Sequence, residues 1–172
     1  MNKLVCLIPA LCITACATTP RAGAGPSAPL INSAGQAIGT VVASQATEGV
    51  AFRIHATGLP PGVHGIHVHP IGRCDPPDFS TAGTHWNPTN KQHGLNNPNG
   101  PHAGDMPNVT VDANGAIDAT VVLPHANMAQ LLDPDGSSVM IHANADDYVS
   151  QPAGNSGPKI ACAVIGPGPA LR

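Results

Sequence analysis

Aromatic side chains are nearly absent from this chain. Phe52, Phe79, Trp86 and Tyr148 are the only ones in 172 residues, 2 % of the total. Charge is scarce as well: Asp, Glu, Lys and Arg make up 10 %, against roughly 25 % in an average soluble domain. The first shortage leaves a core of aliphatic and small residues. The second excludes a coiled coil or long helical bundle, which needs Glu, Lys and Arg in a regular period. The seven Lys and Arg are scattered, so no basic stripe exists for a nucleic acid and none is expected as a partner. The net charge of −3 is small and 42 % of residues are hydrophobic, which does not suit a disordered chain. Present in excess are 19 Gly, 19 Pro and nine His. Length and composition together point to one turn-rich β domain with a large supply of imidazole.

The N-terminus reads as an address. Lys3 supplies a minimal positive region, and Leu4 to Ile13 is an apolar run too short to span a bilayer. Ile13-Thr14-Ala15-Cys16 resembles the bacterial lipobox, in which cleavage precedes a Cys that carries lipid. Residues 1–15 are therefore expected to be a signal peptide, and 16–34 a lipidated terminus and flexible tether rich in Ala, Thr, Gly and Pro. The domain is expected over 35–172. Ala17 after the Cys resembles the pattern of lipoproteins sent to the outer membrane. The expected location is the periplasmic side of a bacterial envelope, with the membrane as a partner through the lipid. Five Cys is an odd number for an exported protein. Cys6 and Cys12 leave with the signal, Cys16 takes lipid, and Cys74 and Cys162 remain in a compartment that permits disulfides. A bridge between them would close a loop of about 90 residues, worth roughly 4–5 kcal/mol on the chain-entropy model.

The body alternates with a period of two. Val50, Phe52, Ile54 and Ala56 share one face; Ala51, Arg53, His55 and Thr57 share the other. Val109 and Val111 lead into Asp112-Ala113-Asn114-Gly115, a hairpin signal, with Ala116–Leu123 as the return strand. Further strands are expected at Gly39–Ser44, Val63–His69, Val139–His142 and Ile160–Ile165, with one short helical turn within His125–Leu132. Several short strands with turn signals between them suggest an all-β antiparallel sandwich or barrel. Between Pro70 and Pro107 the alternation stops. So long an irregular segment in a small domain is usually functional or disordered. It has little apolar surface to bury, so metal and a disulfide are expected to order it.

The histidines give that segment a purpose. In Gly65-Ile66-His67-Val68-His69 both imidazoles fall on one strand face. His85, His93, His102 and Asp105 follow in the loop, and His142 ends a later strand. No Cys-x-x-Cys pair exists, which excludes zinc-finger and iron–sulfur sites. Imidazoles suit copper, zinc, iron or nickel, and an added carboxylate favours zinc over copper. Six His and one Asp complete two four-coordinate sites only if one His serves both, which spacing alone does not decide.

The motifs Gly65-Ile66-His67-Val68-His69, Gly83-Thr84-His85-Trp86-Asn87-Pro88, Lys91-Gln92-His93-Gly94, His102-Ala103-Gly104-Asp105, Met140-Ile141-His142, Gly154-Asn155-Ser156-Gly157 and Ala161-Cys162-Ala163-Val164-Ile165-Gly166 occur in that order. The set resembles the copper–zinc superoxide dismutases over about residues 35–166, and its phrasing resembles their bacterial branch. The resemblance implies a Greek-key, immunoglobulin-like sandwich or flattened barrel with long metal-binding and electrostatic loops. It implies one copper and one zinc per subunit and superoxide as substrate. Copper would be held by His67, His69, His85 and His142, and zinc by His85, His93, His102 and Asp105, with His85 shared. Asp146 would link a copper ligand to a zinc ligand, and Cys74 and Cys162 would form the family disulfide. Copper would alternate between Cu(II) and Cu(I) while His85 is released and takes up a proton. A homodimer is possible on the same basis.

One position departs from the family. Lys159 stands where an Arg usually docks the anion beside copper. Lys keeps the charge and loses the planar two-bond fork, so attraction is expected to survive and docking to weaken. The processed chain with two divalent metals is close to neutral, so steering falls to a local positive mouth. Lys91 and Arg73 are expected to be solvated loop charges, His64 to brace the backbone, and His55 and His125 to lie at the surface. Asn108-Val109-Thr110 fits a glycosylation pattern, with no glycan expected in a bacterium. The competing functional reading is a non-catalytic lipoprotein that buffers copper and zinc in the envelope.

Overall fold

Alternation of apolar and polar residues sets the strands, because successive side chains in a strand point to opposite faces. A computed structural model describes residues 25–167. The expected signal peptide, the Cys16 lipid site and the start of the expected tether lie outside the described residues. Nine strands are formed among them: β1 (Ser27–Asn32), β2 (Ala37–Ala46), β3 (Gly49–Ala56), β4 (Gly62–His64), β5 (Ile66–His69), β6 (Val109–Val111), β7 (Ile117–Pro124), β8 (Ser137–His142) and β9 (Lys159–Ile165). One four-residue helix, α1 (Met128–Leu131), is capped by Asn127 and Gln130 in a reciprocal capping box. It falls where a single helical turn was expected.

The strands form an antiparallel seven-stranded sheet in the order β5-β8-β9-β1-β2-β3-β7, with a two-stranded β4-β6 sheet beside it. Neighbours that are distant in sequence, β9 with β1 and β3 with β7, give the crossed connections of a Greek-key arrangement. The sheet curls around one core, to which Leu30, Val41, Phe52, Ile54, Val68 and Val111 contribute from both sheets. Val50, Phe52, Ile54 and Ala56 are buried as a set, while Arg53 and His55 are exposed.

Three expectations need correction. Ser27–Asn32 is strand β1, paired with β2 and β9, where a tether was expected. Ala28 and Leu30 are buried by alternation; the abundance of small residues and Pro in that region hides a strand whose partners are remote. Secondly, the Asn114-Gly115 turn forms, with Asp112 Oδ1 accepting from Asn114 N and Ala116 N at 2.8 Å each. Its arms are not a ladder pair, however: β6 pairs with β4, and β7 with β3. The turn is a corner between sheets. Thirdly, the long loop does bury apolar surface. Phe79, Ala82, Met140 and Cys162 form a second cluster on the other face of the sheet, with Cys74 and Ile31 against it. Met106 joins the main core and Trp86 packs on it. The Cys74–Cys162 disulfide, with Cα atoms 5.7 Å apart, pins this loop to β9.

Candidate metal centre

Backbone bonds bring the donors together before any side chain is considered. Val68 N donates to Gly104 O at 2.9 Å, Trp86 N to Val68 O at 2.8 Å, and Gly104 N to Trp86 O at 2.8 Å. This closed ring ties β5 to two distant points of the long loop. Every member has donor residues beside it: His67 and His69 flank Val68, His85 precedes Trp86, and Asp105 follows Gly104. A Cβ at residue 104 would stand 2.4 Å from Val68 O, so only Gly permits the approach. The β5–β8 and β8–β9 ladders add His142, which pairs with Lys159.

The first group of donors closes on one point. His85 Nδ1 and His93 Nδ1 lie 3.1 and 3.0 Å from Asp105 Oδ1. His102 Nδ1 lies 3.5 Å from the same oxygen and 3.4 Å from His85 Nδ1. Ligands arranged tetrahedrally at about 2.0–2.1 Å from zinc stand about 3.3 Å from each other, so these separations suit a small ion. Asp105 is fixed from behind, its Oδ2 accepting from Gly94 N and His102 N.

The second group is defined by what its atoms lack. His67 Nδ1, His69 Nε2, His85 Nε2 and His142 Nε2 are buried without a hydrogen-bond partner. Buried polar nitrogens are costly to leave unpaired. The opposite nitrogens of three of these rings are all engaged: His67 Nε2 with Asp146 Oδ2 (2.7 Å), His69 Nδ1 with Gly83 O (2.9 Å) and His142 Nδ1 with Gly157 O (2.9 Å). His85 alone faces both groups. The His67 ring stacks on it with centroids 3.9 Å apart. Counting either nitrogen, His67 also falls within reach of His85, His93 and Asp105, while His69, His85 and His142 form a separate trio. The pairing of His67 Nε2 with Asp146 leaves Nδ1 as its free atom. Asp146 is the link between the groups, since its Oδ1 also bonds His93 Nε2 at 3.0 Å.

Burial tunes these rings. It drives His67 down to about 4 despite the Asp146 bond, His142 down to about 3, and His69 well below its ordinary value. They are neutral at physiological pH and able to donate a lone pair. Burial acts the same way on His93, but bonds to Asp105 and Asp146 outweigh it and raise the ring to about 9. Both carboxyls are also buried, yet imidazole and backbone donors hold them far below the usual range.

Three of these four rings, His69, His85 and His142, line a cleft of about 410 Å³ that opens to solvent, together with Thr84, Pro152 and Lys159. Lys159 is its only Lys or Arg among the described residues. The ammonium donates to Phe79 O (3.1 Å) and Gly83 O (3.2 Å), and burial lowers its pKa. Lys91 lines a different hollow beside Trp86 and His102, and Arg73 is ion-paired with Asp75. His55 and His125 are exposed, as expected. His64 is buried and reaches the His142 and Pro60 carbonyls from its two ring nitrogens at 2.8 Å each. The expected set thus comes together. The sequence does not reveal the Gly83 and Gly157 carbonyls that orient His69 and His142, since a backbone acceptor has no side-chain signature. Nor does it reveal why residue 154 is Gly: a Cβ there would stand 1.7 Å from Asp146 Oδ1.

An antiparallel β protein with two adjoining clusters of buried imidazole and carboxylate donors, and one ring facing both, belongs among the proteins built to hold two metal ions. The family model for copper/zinc superoxide dismutase matches residues 37–165, and the chain belongs to that family. Superoxide dismutase [Cu-Zn] 1 of Aquifex aeolicus is 42 % identical over 144 residues, covering 80 % of this chain and 85 % of that protein. A superoxide dismutase-like protein of Bacillus subtilis is also 42 % identical, over 79 % of this chain and 73 % of its own length. Among solved structures, a SOD-like protein from Bacillus subtilis superposes with a TM-score of 0.80 at 41 % identity, covering 83 % of this chain and 99 % of that one. The Cu/Zn enzyme of Brucella abortus gives 0.71 at 32 %, over 81 % and 98 %. The protein is an oxidoreductase with copper and zinc as cofactors.

Proposed function

We propose that this chain converts two superoxide anions and two protons into one dioxygen and one hydrogen peroxide. The carrying observation is the set of four orphaned nitrogens, three of them on rings that line an open cleft and one of these, on His85, belonging to the ring that also faces the Asp105 group. His67 Nδ1, His69 Nε2, His85 Nε2 and His142 Nε2 would hold copper; His85, His93 and His102 through Nδ1, with Asp105 through Oδ1, would hold zinc. Copper supplies one-electron redox chemistry when bound, and zinc supplies a fixed positive charge that orders the loop and the shared ring.

The chain's own groups do the rest. His85 Nε2 would accept a proton in one half of the cycle and give it to the product in the other, while its Nδ1 stays beside Asp105 Oδ1. Gly83 O and Gly157 O fix the tautomers of His69 and His142, so that Nε2 faces the cleft. Lys159 attracts the anion. Two of its three N–H groups are committed to Phe79 O and Gly83 O, which leaves one for superoxide. Cys16 would carry the lipid that tethers the domain to the outer membrane, and the disulfide fits an oxidising compartment.

The metal-buffer reading merits one comparison, because SOD-like relatives are as similar to this chain as the named enzymes. A buffer needs no open cleft and no cation at its mouth, and both are present here. Metal analysis combined with a dismutation assay on the loaded protein decides between them. The expected result is one copper, one zinc and rapid dismutation. One of each without activity would replace the enzyme by the buffer.

A further inference from the structure

Asn108 stands directly before β6, which is laddered to β4 from Val109 opposite His64. The sheet frame therefore carries it, whereas Asp146 lies in the irregular segment between β8 and β9. The Asn108 side chain meets the Asp146 backbone twice. Asp146 N donates to Asn108 Oδ1 at 2.9 Å, and Asn108 Nδ2 donates to Asp146 O at 2.9 Å. A third bond runs from Asn108 N to the Tyr148 hydroxyl oxygen at 2.7 Å. Tyr148 N in turn donates to Asp146 Oδ1 at 2.7 Å. The carboxylate held in this way binds His67 Nε2 and His93 Nε2, and all three side chains are fully buried.

We infer that Asn108 is a positioning residue for both metals: it grips both backbone groups of Asp146, and so sets the carboxylate that orients His67 and His93. This rests on the ligand roles proposed above for those two rings. A carboxamide is required by the chemistry, because one end must accept and the other donate. Aspartate has the same shape but would turn an acceptor toward the Asp146 carbonyl. The same contacts give the first residue of the glycosylation-like tripeptide a structural role.

The test uses Asn108→Asp and Asn108→Ala in the full chain, loaded with zinc and Cu(I) so that imidazole N–H protons are visible by NMR. Four such protons matter: those of His67 and His93 on Asp146, and those of His69 and His142 on backbone carbonyls. The expected result is solvent exchange about tenfold faster for the first pair, with the second pair unchanged, and zinc loss to a chelator about tenfold faster. Asn108→Ser, whose shorter hydroxyl cannot span both Asp146 backbone groups, is a milder variant should the others fail to fold, and should show the same selectivity at smaller size. Uniform acceleration of all four protons would reduce Asn108 to a general stabiliser and overturn the inference; so would no change in any. If the wild-type His67 and His93 resonances do not respond to metal, the ligand reading falls and the inference with it, a failure recognisable because it occurs without mutation.

Discussion

At the residue scale, the strongest constraint is an accounting of nitrogen atoms. Three rings each have one nitrogen satisfied by a fixed acceptor and one left bare, and His85, whose Nδ1 meets Asp105, is left bare at Nε2. Lys159 is the residue where this chain departs from the resemblance, and its geometry says how much that costs. An ammonium already spending two bonds on Phe79 O and Gly83 O has one to offer, where a guanidinium could offer a parallel pair. Lys159→Arg is expected to raise the dismutation rate per bound copper by roughly threefold, about two-thirds of the net worth of one ordinary hydrogen bond. Pulse radiolysis on copper-quantified samples measures it, and an unchanged or lower rate would refute the docking role.

At the element scale, the long loop carries the metal-donor candidates, a disulfide and an apolar cluster, of which the sequence showed the first two. Metal donors and the disulfide were legible from His spacing and the Cys count. The third, Phe79, was not. It sits in the left-handed region at φ 55, unfavourable for a bulky side chain. It is also fully buried against Met140 and Cys162. Burial of a Phe outweighs the local backbone cost, and the carbonyl of this same residue holds Lys159. Phe79→Ala should therefore lower unfolding stability by about 3–5 kcal/mol, seen as a shifted denaturant midpoint. It should also reduce the rate per copper, because the Lys159 anchor loosens. An effect on stability alone would separate the anchor from the cluster. The β6–β7 corner follows the same logic. Asn-Gly signals a turn through local backbone chemistry, but which strands pair after the turn depends on the faces they must bury.

At the scale of the whole molecule, the buried imidazoles couple folding to pH. His67, His69 and His142 have folded values below the unfolded 6.5, with His67 at about 4 and His142 at about 3. The unfolded chain thus binds more protons between those limits, and stability falls as pH falls through that window. His93, raised to about 9, works in the opposite sense: its contribution is complete below 6.5 and is lost as pH rises toward 9. The metal-free protein should be most stable near pH 6.5, losing a few kcal/mol on the acid side. Thermal unfolding across pH measures this. Loading with metal should remove the alkaline decline, because coordination rather than a proton then neutralises the Asp105–His93–Asp146 array. A metal-free protein with flat stability from pH 4 to 9 would contradict it.

The sequence by itself determined most of the alternating strands, the two cysteines available to bridge, and the candidate His and Asp residues, because these depend on residue type and, in the strands, on a period of two. Tertiary structure alone decided that β1 belongs to the sheet, that the Asn-Gly turn is a corner, and that Gly104, Val68 and Trp86 close the ring that gathers the histidines. It also decided which nitrogen of each ring stays free. Those outcomes depend on backbone groups and remote partners, and a carbonyl or a cross-loop hydrogen bond leaves no mark on the side-chain pattern until the chain has folded around it.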